Sequence, residues 1–549
     1  MANYYSDNGC KGFYLFPERI KELIRLREGA DVDANAIYDA YLKRLESVGR
    51  LAAENIEPRA LSVDVEGAKC VDGVVNLAKG TAADLEDLKA AGLMGVMLPK
   101  EFGGLHMPVS VYSMMTEMIS RADASLQNLF GLQDIAQTIK LFGTDEQRQR
   151  YLPKFAAGEY DGAMALTEPE AGSDLQSVRT SAVQGEDGVW RINGLKHFIT
   201  NGCAKVLLVL ARTEPDTTDA RGLSLFIVKA GPQVVINRIE KKMGIRGAPT
   251  CEIQFNDAPG ELLGQRRFGL IKYVMSLMNG ARLAISSQAA GLADAACTLA
   301  HEYTAQRRQF GKALADIPPV TDMLERMTAL AEAERTLLYE TCYYVDLRDV
   351  YTEISERDKA DRDAREKSKL YTKIAALMTP VTKFFNTEGS NSIAYDTIQC
   401  MGGKGYMHER FAERFYRDAR IMNIYEGTSQ MQVVAATGGI MTHVIDPIDD
   451  ALFAELDGTP GMEKALAKLK AAKTLADEFI QLVNDHSDSL ERLAKRLVRM
   501  QTVIYVALLM LRNAKRDVAR LDVAKMFIRF FLPEVQYNAD MITEYFAEL

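Results

Sequence analysis

The chain has 549 residues, which is too long for one hydrophobic core and predicts about three or four domains. With 47% apolar and 26% charged residues, its composition is that of a folded globular protein and excludes a disordered one. The formal net charge of −9 comes without a basic stripe or a Lys/Arg-rich tail, which argues against a nucleic-acid partner.

Cysteine content and hydrophobic runs indicate a cytoplasmic protein with no metal site and no membrane span. The seven cysteines are odd in number, far apart and form no CxxC pair, so neither disulfides nor a zinc site is predicted. The opening stretch MANYYSDNGC lacks the basic and apolar regions of a secretory signal. The longest apolar run, residues 503–511, is far shorter than a membrane span and predicts a buried helix.

The residue pattern changes from helical to strand-like and back, which predicts an α+β protein with several domains. Up to about Gly158, apolar residues recur at three-to-four spacing, as in ADLEDLKAAGLMGVMLP. Short β-rich runs such as KVLLVLART follow, separated by Gly, Asn and Asp, and helical spacing returns at Phe268. The predicted domains are an N-terminal α-helical domain (1–160), a middle β domain (161–267), a C-terminal α-helical bundle (268–442) and a helical C-terminal extension (443–549).

Two features of the helical regions predict packing or solvated surfaces and no ligand site. The charged run at residues 353–369 mixes both signs at helical spacing, which is typical of a solvated helix or loop. The C-terminal region carries one apolar stripe at heptad-like spacing, which indicates core or oligomer packing. The residues of this stripe are Leu490, Leu493, Leu497, Met500, Ile504 and Leu508.

Two short motifs flank the start of the β region. ALTEPEAGSD contains Gly172, which allows close backbone approach to a flat ligand, and the hydroxyls of Thr167 and Ser173. HFITNG ends a β run with Phe198 and Thr200 two residues apart, so both side chains face one side of a strand. Taken separately, the first motif is more often only a turn, and the second favours a core aromatic beside an edge threonine.

Two further motifs lie in the helical region. QRRQFG, residues 306–311, places two arginines at the end of a long helix, which suits a phosphate and equally suits a solvated helix end. QCMGGKGYMHE, residues 399–409, has three glycines in four positions, so its backbone turns sharply or is pressed against a neighbour.

The order of these motifs, completed by IYEGTSQ, resembles that of the acyl-CoA dehydrogenase flavoprotein family. The similarity covers roughly residues 60–440. The YYSDN opening, the stretch KMGIRGAPTCEI and the helical tail look like the longer bacterial branch of the family, which includes methylmercaptopropionyl-CoA dehydrogenases. The resemblance implies a helical N-terminal domain, a β-barrel-like middle domain and a C-terminal helical bundle. It also implies FAD as cofactor, an acyl-CoA substrate and a homodimer or homotetramer.

The resemblance also implies which residues bind the cofactor and the substrate. Met164 and Phe198 stand where many relatives carry Tyr and Trp. The residues implied for the flavin are Met164, Leu166, Thr167, Gly172, Ser173, Phe198 and Thr200. Those implied for the adenosine pyrophosphate part, commonly on a neighbouring subunit, are Arg307, Gln309, Phe310, Gln399 and Gly403, with Thr428 and Gln430 completing the site. Those implied for the acyl-CoA substrate are Ser173, Arg282, Tyr425 and Gly427.

Glu426, in the stretch IYEGTSQMQ, is an isolated carboxylate before a glycine and a helix start. Ser429 and Gln432 have the S-x-x-Q spacing of a capping box, which predicts a helix directly after Gly427. The helix N-terminus favours the ionised carboxylate while burial opposes it, a competition that tunes a general base. By resemblance, Glu426 removes the α-proton of an acyl-CoA thioester, with the flavin as hydride acceptor and a 2-enoyl-CoA as product. Some relatives carry the base at the position of Ala281, which has no carboxylate here.

Several functions remain open from the sequence. Electrons pass to electron transfer flavoprotein in a dehydrogenase and to oxygen in an acyl-CoA oxidase, and the sequence does not separate the two. A DNA-associated relative with this fold would carry a basic groove, which the acidic net charge disfavours. A non-catalytic scaffold role is disfavoured by the intact surroundings of Glu426. The acyl chain of the substrate is not identified by the sequence.

Overall fold

A computed structural model describes Tyr4, residues 16–409 and residues 411–548. The chain forms two compact units, Met1–Asp7 with Ser47–Gln288, and Asn8–Glu46 with Ala289–Leu549. Helices precede and follow a central set of strands, so the predicted α+β class is confirmed. Cys10 lies outside the described residues.

Eight helices are described before the middle strands. Helix α8 begins with a reciprocal capping box, which Thr144 and Gln147 form at its start. A small antiparallel hairpin, β1 (Lys69–Val71) with β2 (Val74–Asn76), interrupts this helical region and was not predicted. The eight helices are α1 (Pro17–Glu28), α2 (Ala34–Leu51), α3 (Glu57–Glu66), α4 (Lys79–Ala90), α5 (Val109–Ala122), α6 (Ala124–Phe130), α7 (Asp134–Phe142) and α8 (Asp145–Ala156).

Seven strands form the middle sheet of the first unit. They run in the order β3-β6-β4-β5-β9-β7, β8 pairs with β9, and an added β6–β7 pairing closes five of the strands into a ring. The predicted β-barrel-like domain is therefore confirmed. The strands are β3 (Gly162–Ala165), β4 (Ser181–Gln184), β5 (Trp190–Thr200), β6 (Val206–Arg212), β7 (Leu223–Lys229), β8 (Val234–Ile239) and β9 (Thr250–Leu263).

Strand β6 shows why this sheet needs apolar residues on both faces. Leu208 and Leu210 pack in one core with Ile135 of α7, whereas Leu207 and Val209 pack in a second core inside the ring of strands. Because alternate residues of a strand point to opposite faces, a strand between two cores reads as a continuous apolar run. The run KVLLVLA has this pattern.

The second unit is built around two 40-residue helices, α10 (Pro318–Arg357) and α11 (Arg362–Met401), which pack along each other, and α11 also packs against α13 (Ser429–Met441). A small hairpin of two short strands, β10 (Arg308–Gln309) and β11 (Lys312–Ala313), follows helix α9 (Met275–Gln306). The helices after the middle strands are α9 (Met275–Gln306), α10 (Pro318–Arg357), α11 (Arg362–Met401), α12 (Phe411–Met422), α13 (Ser429–Met441), α14 (Asp446–Leu456), α15 (Glu463–Asp485), α16 (Leu490–Arg516), α17 (Leu521–Phe531) and α18 (Pro533–Ala547).

Helix α16 is the central helix of the C-terminal extension. Five residues of the predicted stripe, from Leu493 to Leu508, are buried, and Leu490 is half-buried at the start of the helix. The segment Ser487–Arg516 is long and apolar enough to cross a membrane, but 94% of its apolar window is buried inside the protein. The prediction of a buried helix for residues 503–511 is therefore confirmed.

Candidate active site

Glu426 lies on the loop between α12 and α13 in an unusual backbone conformation. Its φ is +53° and that of Gly427 is +89°, so two consecutive residues occupy the left-handed region. For a residue with a β-carbon this conformation costs on the order of 1 kcal/mol, and it persists only where the surroundings enforce it. The prediction that Glu426 sits on a tight turn before a helix is confirmed.

Two buried side chains hold the carbonyl groups of this loop. Lys383, on α11, donates from Nζ to the carbonyl oxygens of Tyr425 (2.7 Å) and Gly427 (2.5 Å). Gln432, on α13, donates from Nε2 to the carbonyl oxygens of Glu426 (3.2 Å) and Gly427 (2.8 Å). Three consecutive carbonyls are thus fixed by side-chain donors, and these bonds offset the strain at Glu426.

Glu388, also on α11, closes the other side of the loop. Its Oε1 accepts hydrogen bonds from Asn423 Nδ2 (3.1 Å) and from the hydroxyl of Ser429. The amide N–H of Ser429 donates to the carbonyl of Asn423 (3.1 Å). The two ends of the loop are therefore tied to one carboxylate and to each other.

The predicted capping box of Ser429 and Gln432 is wrong. The N-cap of α13 is Thr428, whose hydroxyl accepts from the amide N–H of Met431 at 3.4 Å. Ser429 is the first helical residue, and its hydroxyl is bonded to Glu388. Because the side chains of Ser429 and Gln432 make hydrogen bonds to Glu388 and to the loop that carries Glu426, neither one caps the helix.

A buried ion pair supports the flavin-binding candidates of the first unit. The Nζ of Lys196, on β5, donates to the carbonyl of Leu166 (2.8 Å) and to Glu168 Oε1 (2.9 Å). The carboxylate of Glu168 also accepts from the amide N–H groups of Arg179 (2.7 Å) and Thr180 (2.9 Å). One carboxylate and one ammonium group thus link three segments of the chain.

Burial and hydrogen-bond partners determine the protonation states of Lys196 and Glu168. Burial lowers the pKa of Lys196 to about 8, and the carboxylate of Glu168 limits that fall. Burial opposes ionisation of Glu168, but the Lys196 ammonium and the bonds at Thr180 and Arg179 outweigh it and hold the pKa of Glu168 below its usual value. Both groups are therefore charged near neutral pH.

The ALTEP and HFIT motifs are brought together directly. A bulge in β5 lies between Lys196 and Ile199, and in it the amide N–H of His197 donates to the carbonyl of Thr167 (2.9 Å). Phe198 has a φ of +60°, is 59% exposed and stacks on the ring of His197 with ring centroids 3.9 Å apart. The result is an exposed aromatic face beside Thr167.

The other flavin candidates of this unit lie near the bulge in sequence. Thr200 pairs with Thr250 across β5 and β9 and is half-buried. Met164 is half-buried on β3, and Leu166 is buried directly after it. A short bridge between Glu168 and Ala171 turns the chain. The next two residues, Gly172 and Ser173, are exposed.

Arg282 is a buried arginine on α9. Its side chain is only 6% exposed, and Nη1 donates to Asn279 Oδ1 at 3.0 Å. Its neighbour Ala281 is also buried, so a residue with no ionisable group fills the alternative base position. Burial of a guanidinium is costly, and it favours a specific role over that of a solvated helix charge.

The candidates for the adenosine part lie on exposed turns of the second unit. Phe310 is 93% exposed at the tip of the β10–β11 hairpin, with a φ of +50°. Gln430 is exposed in the first turn of α13. The remaining candidates, also exposed, are Arg307 and Gln309 beside the hairpin tip, and Gln399 and Gly403 at the end of α11.

Two groups of side chains have the composition of a metal site, and a cation bonds to each. His197 of β5, Glu240 directly after β8 and Glu252 of β9 form the first group, where Arg238 donates to Glu252 at 2.8 Å. The second group is His443, Asp446 and Asp477, where the Nζ of Lys473 lies 3.1 Å from Asp446 and 2.5 Å from Asp477. These cations already neutralise part of the carboxylate charge.

Sequence reasoning missed the residues that support the site. Lys196 and Glu168 lie inside quoted motifs, and a lysine at an inward-facing strand position signals a buried partner. Lys383 and Glu388 lie 42 and 41 residues from the groups they bind, so no local pattern points to them.

Comparison with known proteins accounts for most of the chain. Profiles of the acyl-CoA dehydrogenase N-terminal, middle and C-terminal domains match residues 42–159, 163–258 and 271–437. The 3-methylmercaptopropionyl-CoA dehydrogenase of Ruegeria pomeroyi is 35% identical over 418 residues, which are 71% of this chain and 68% of the relative.

Solved structures share the fold of this chain. A structure described as the electron transferring flavoprotein of Acidaminococcus fermentans is 28% identical, with a TM-score of 0.62, and the match covers 72% of this chain and 96% of the other. An acyl-CoA dehydrogenase of Bacillus anthracis complexed with FAD shares the fold, with a TM-score of 0.77 at 23% identity, over 91% of this chain and 87% of the other. From its domain profiles and its relatives, this chain belongs to the acyl-CoA dehydrogenase family.

Proposed function

We propose that the protein is an FAD-dependent acyl-CoA dehydrogenase that converts an acyl-CoA thioester to a 2-enoyl-CoA, with Glu426 as general base. The observation that carries this proposal is the loop of residues 423–429, which carries Glu426 and is called the base loop below. A carboxylate at a strained position, with three neighbouring carbonyls fixed by Lys383 and Gln432, is an arrangement for holding one reactive group in place. Family membership gives the reaction type.

The residues around the β5 bulge fit a flavin. A flat ring system with polar edges needs an exposed aromatic or apolar face and nearby hydrogen-bond donors. Phe198 provides an exposed aromatic face, and the half-buried hydroxyl residues Thr167 and Thr200 lie on the same segments. FAD, when bound, supplies the acceptor for the hydrogen that leaves the β-carbon as hydride.

The orientation of the Tyr425–Glu426 peptide suits stabilisation of negative charge. Its carbonyl accepts from the buried ammonium of Lys383, and none of the described peptide bonds is cis, so the N–H of Glu426 points away from Lys383. A carbonyl bonded to a cation polarises its peptide and makes the N–H a stronger donor. This N–H is therefore the group we assign to the thioester oxygen as enolate charge develops there.

Glu426 takes the α-proton at a carboxylate oxygen. Proton removal and stabilisation of the developing charge are then performed by one residue, through its side chain and its main chain. Arg282, buried on α9, is the residue we assign to holding the substrate, with Ser173, Tyr425 and Gly427. The acyl chain remains open, and the name of the Ruegeria pomeroyi relative makes a sulfur-containing short acyl-CoA the first compound to try.

The proposal includes partners and assembly. Electron transfer flavoprotein is the proposed electron acceptor, supported by family membership and by the likeness to the Acidaminococcus fermentans structure. A homodimer or homotetramer is proposed because Phe310 is 93% exposed at a hairpin tip beside Arg307 and Gln309. A large apolar side chain in that position is suited to contact a second subunit. A cytoplasmic location completes the proposal.

Anaerobic mixing of the purified flavoprotein with a panel of acyl-CoA thioesters tests the function. We expect at least one thioester to bleach the flavin absorbance of the wild type, and Glu426→Gln to retain the flavin without bleaching. Glu478→Gln, which changes an exposed glutamate of α15, serves as matched control and should bleach normally. Retained flavin with no bleaching by any thioester would contradict the proposal, and rapid peroxide formation in air would identify an oxidase instead.

A further inference from the structure

A cavity of about 630 Å³ lies within the second unit, between the C-terminal extension and helices α10 and α11. This volume is that of a small-molecule pocket. Five basic side chains line it, in a protein whose net charge is −9. They are Arg326 from α10 and Arg492, Lys495, Arg496 and Arg499 from α16.

The four basic residues of α16 share one face of the helix. Their spacing of i, i+3, i+4 and i+7 places them side by side over two turns. Two acidic residues also line the cavity, Glu388 and Glu534. The lining therefore carries five positive and two negative charges, and both carboxylates already accept hydrogen bonds from other residues.

The two carboxylates of the lining have different hydrogen-bond partners. Glu534 accepts a bidentate pair of hydrogen bonds from Arg499 (2.6 and 3.2 Å). Glu388 accepts from Asn423 and Ser429 of the base loop. Arg326 is bonded to Asp396 at 3.1 Å. Two of the five cations thus have carboxylate partners.

The other three cations, Arg492, Lys495 and Arg496, form no ion pair among the residues that the structure describes. Arg496 donates to the neutral amide of Asn538 at 3.3 Å. Three basic side chains around one pocket thus lack an ion-pair partner among the described residues, and the single carboxylate of Glu388, bonded to neutral donors, does not balance their charge. Tyr537, which is 59% exposed, adds an aromatic ring to the same lining.

We propose that this cavity binds a small phosphorylated molecule carrying at least two negative charges, of the size of a nucleoside diphosphate. Guanidinium and ammonium groups recognise phosphate oxygens through charge-assisted hydrogen bonds. The exposed ring of Tyr537 offers a stacking surface for a base. The pocket is formed only by the extension together with the bundle, and residues 438–549 lie beyond the matched family domains.

Isothermal titration of the flavin-loaded protein at low ionic strength tests this site, with ADP, inorganic pyrophosphate and uncharged adenosine as probes. We expect ADP and pyrophosphate to bind the wild type and adenosine not to bind. In Arg492→Gln/Lys495→Gln, the affinity should fall at least about tenfold, because both substitutions remove exposed charges at the cavity. The matched control Lys464→Gln/Lys468→Gln removes two exposed lysines of α15 and should bind as the wild type does.

The outcomes separate the sources of the phosphate and test the site itself. Tighter binding of ADP than of pyrophosphate supports a nucleotide, and equal binding supports a free polyphosphate in the same pocket. Failure of the wild type to bind either probe overturns the proposal. So does an affinity that the Arg492→Gln/Lys495→Gln change leaves unaltered, because binding would then lie elsewhere. None of these readouts depends on acyl-CoA turnover.

Discussion

The ammonium of Lys383 donates to the carbonyl of Gly427, the residue that follows the proposed base. The same Nζ bonds the carbonyl of Tyr425, the residue before the base. A single buried cation thus brackets Glu426 from both sides, and it does so from a helix more than 40 residues earlier in the chain. This arrangement makes the geometry of the base loop depend on one side chain of α11.

Lys383→Met should therefore slow the reaction without removing the cofactor. Methionine keeps most of the side-chain volume but leaves two carbonyls without their donor, so the loop loses its fixed orientation. We expect the rate of substrate-induced flavin bleaching, measured by stopped-flow absorbance, to fall roughly 10- to 100-fold. The flavin content should match that of the wild type.

Lys373→Met, on the exposed face of the same helix, is the control for the lysine-to-methionine change. Its bleaching rate should equal that of the wild type. If Lys383→Met also bleached at the wild-type rate, the loop would hold its shape without the ammonium, and the role assigned to Lys383 would be wrong.

Local sequence was sufficient to locate the turn that carries Glu426, the proposed base, and insufficient to locate the side chains that hold this turn. Glu426 and Gly427 are recognisable because a turn and a helix start are encoded in neighbouring residues. Lys383 and Glu388 act across about 40 residues, and α11 reads as an ordinary helix around them. The capping motif also gave a wrong prediction, because the hydroxyl of Ser429 bonds to Glu388 on another helix and does not cap its own helix.

The same limit applies to the fold. The strands were predictable where residues repeat with period two or form apolar runs, as in β6. Closure of five strands into a ring depends on the β6–β7 pairing and a single β4–β6 contact at Ser181, neither of which has a local signature. The cavity beside α16 likewise needs four segments that are distant in sequence, from α10, α11, α16 and the α17–α18 region.

Glu340 joins the extension to the bundle through a buried ion pair. Arg512 donates to both of its carboxylate oxygens (3.0 and 2.8 Å), and Arg19 donates to one of them (2.9 Å). Removing one partner leaves a buried charge poorly compensated, so we expect Arg512→Met to lower the free energy of unfolding by roughly 3–5 kcal/mol. Chemical denaturation at pH 7 measures this loss, and Lys525→Met, an exposed lysine of α17, should cost little.

The pH dependence of that loss has a definite sign. Burial alone would raise the pKa of Glu340, but Arg512 and Arg19 outweigh it and lower the pKa to about 2. A depressed carboxyl pKa stabilises the fold above the unfolded value and loses this contribution as pH falls through the folded value. The difference in free energy of unfolding between wild type and Arg512→Met should therefore become smaller as the pH is lowered from about 4.5 toward 2. A gap that widened in acid would contradict this assignment.

Asp449, on α14, should behave in the opposite way. It is fully buried, it accepts from Gln501, and burial raises the pKa of its carboxyl to about 8. The folded protein thus keeps a proton that the unfolded chain has released, so the free energy of unfolding falls as pH rises from about 4 to about 8. Asp449→Asn removes this loss and should raise Tm more at pH 8 than at pH 5.

Thermal scans of Asp449→Asn at both pH values, beside the exposed control Asp450→Asn, measure the effect. The expected gain at pH 8 is a few degrees. The control should show no such difference between the two pH values. Equal Tm changes for Asp449→Asn at pH 5 and pH 8 would mean that this carboxyl does not titrate differently in the folded protein.

Lys196 and Glu168 provide the most direct test of the proposed flavin-binding segment. Lys196→Met leaves the Glu168 carboxylate buried without its ammonium and frees the carbonyl of Leu166, so the turn that leads to Gly172 and Ser173 loses its anchor. We expect a lower Tm and a lower flavin content than in the wild type, read from the ratio of flavin absorbance to protein absorbance. Lys241→Met, an exposed lysine before β9, is the matched control and should retain the flavin.

The double variant Lys196→Met/Glu168→Gln separates charge from packing. Neutralising Glu168 removes the unpaired buried charge, so Tm should recover in part, because the penalty of the single variant comes mainly from that charge. The flavin content should stay low, because the bond from Lys196 to the carbonyl of Leu166 is still missing. Full recovery of flavin in the double variant would instead show that the ion pair affects the cofactor only through overall stability.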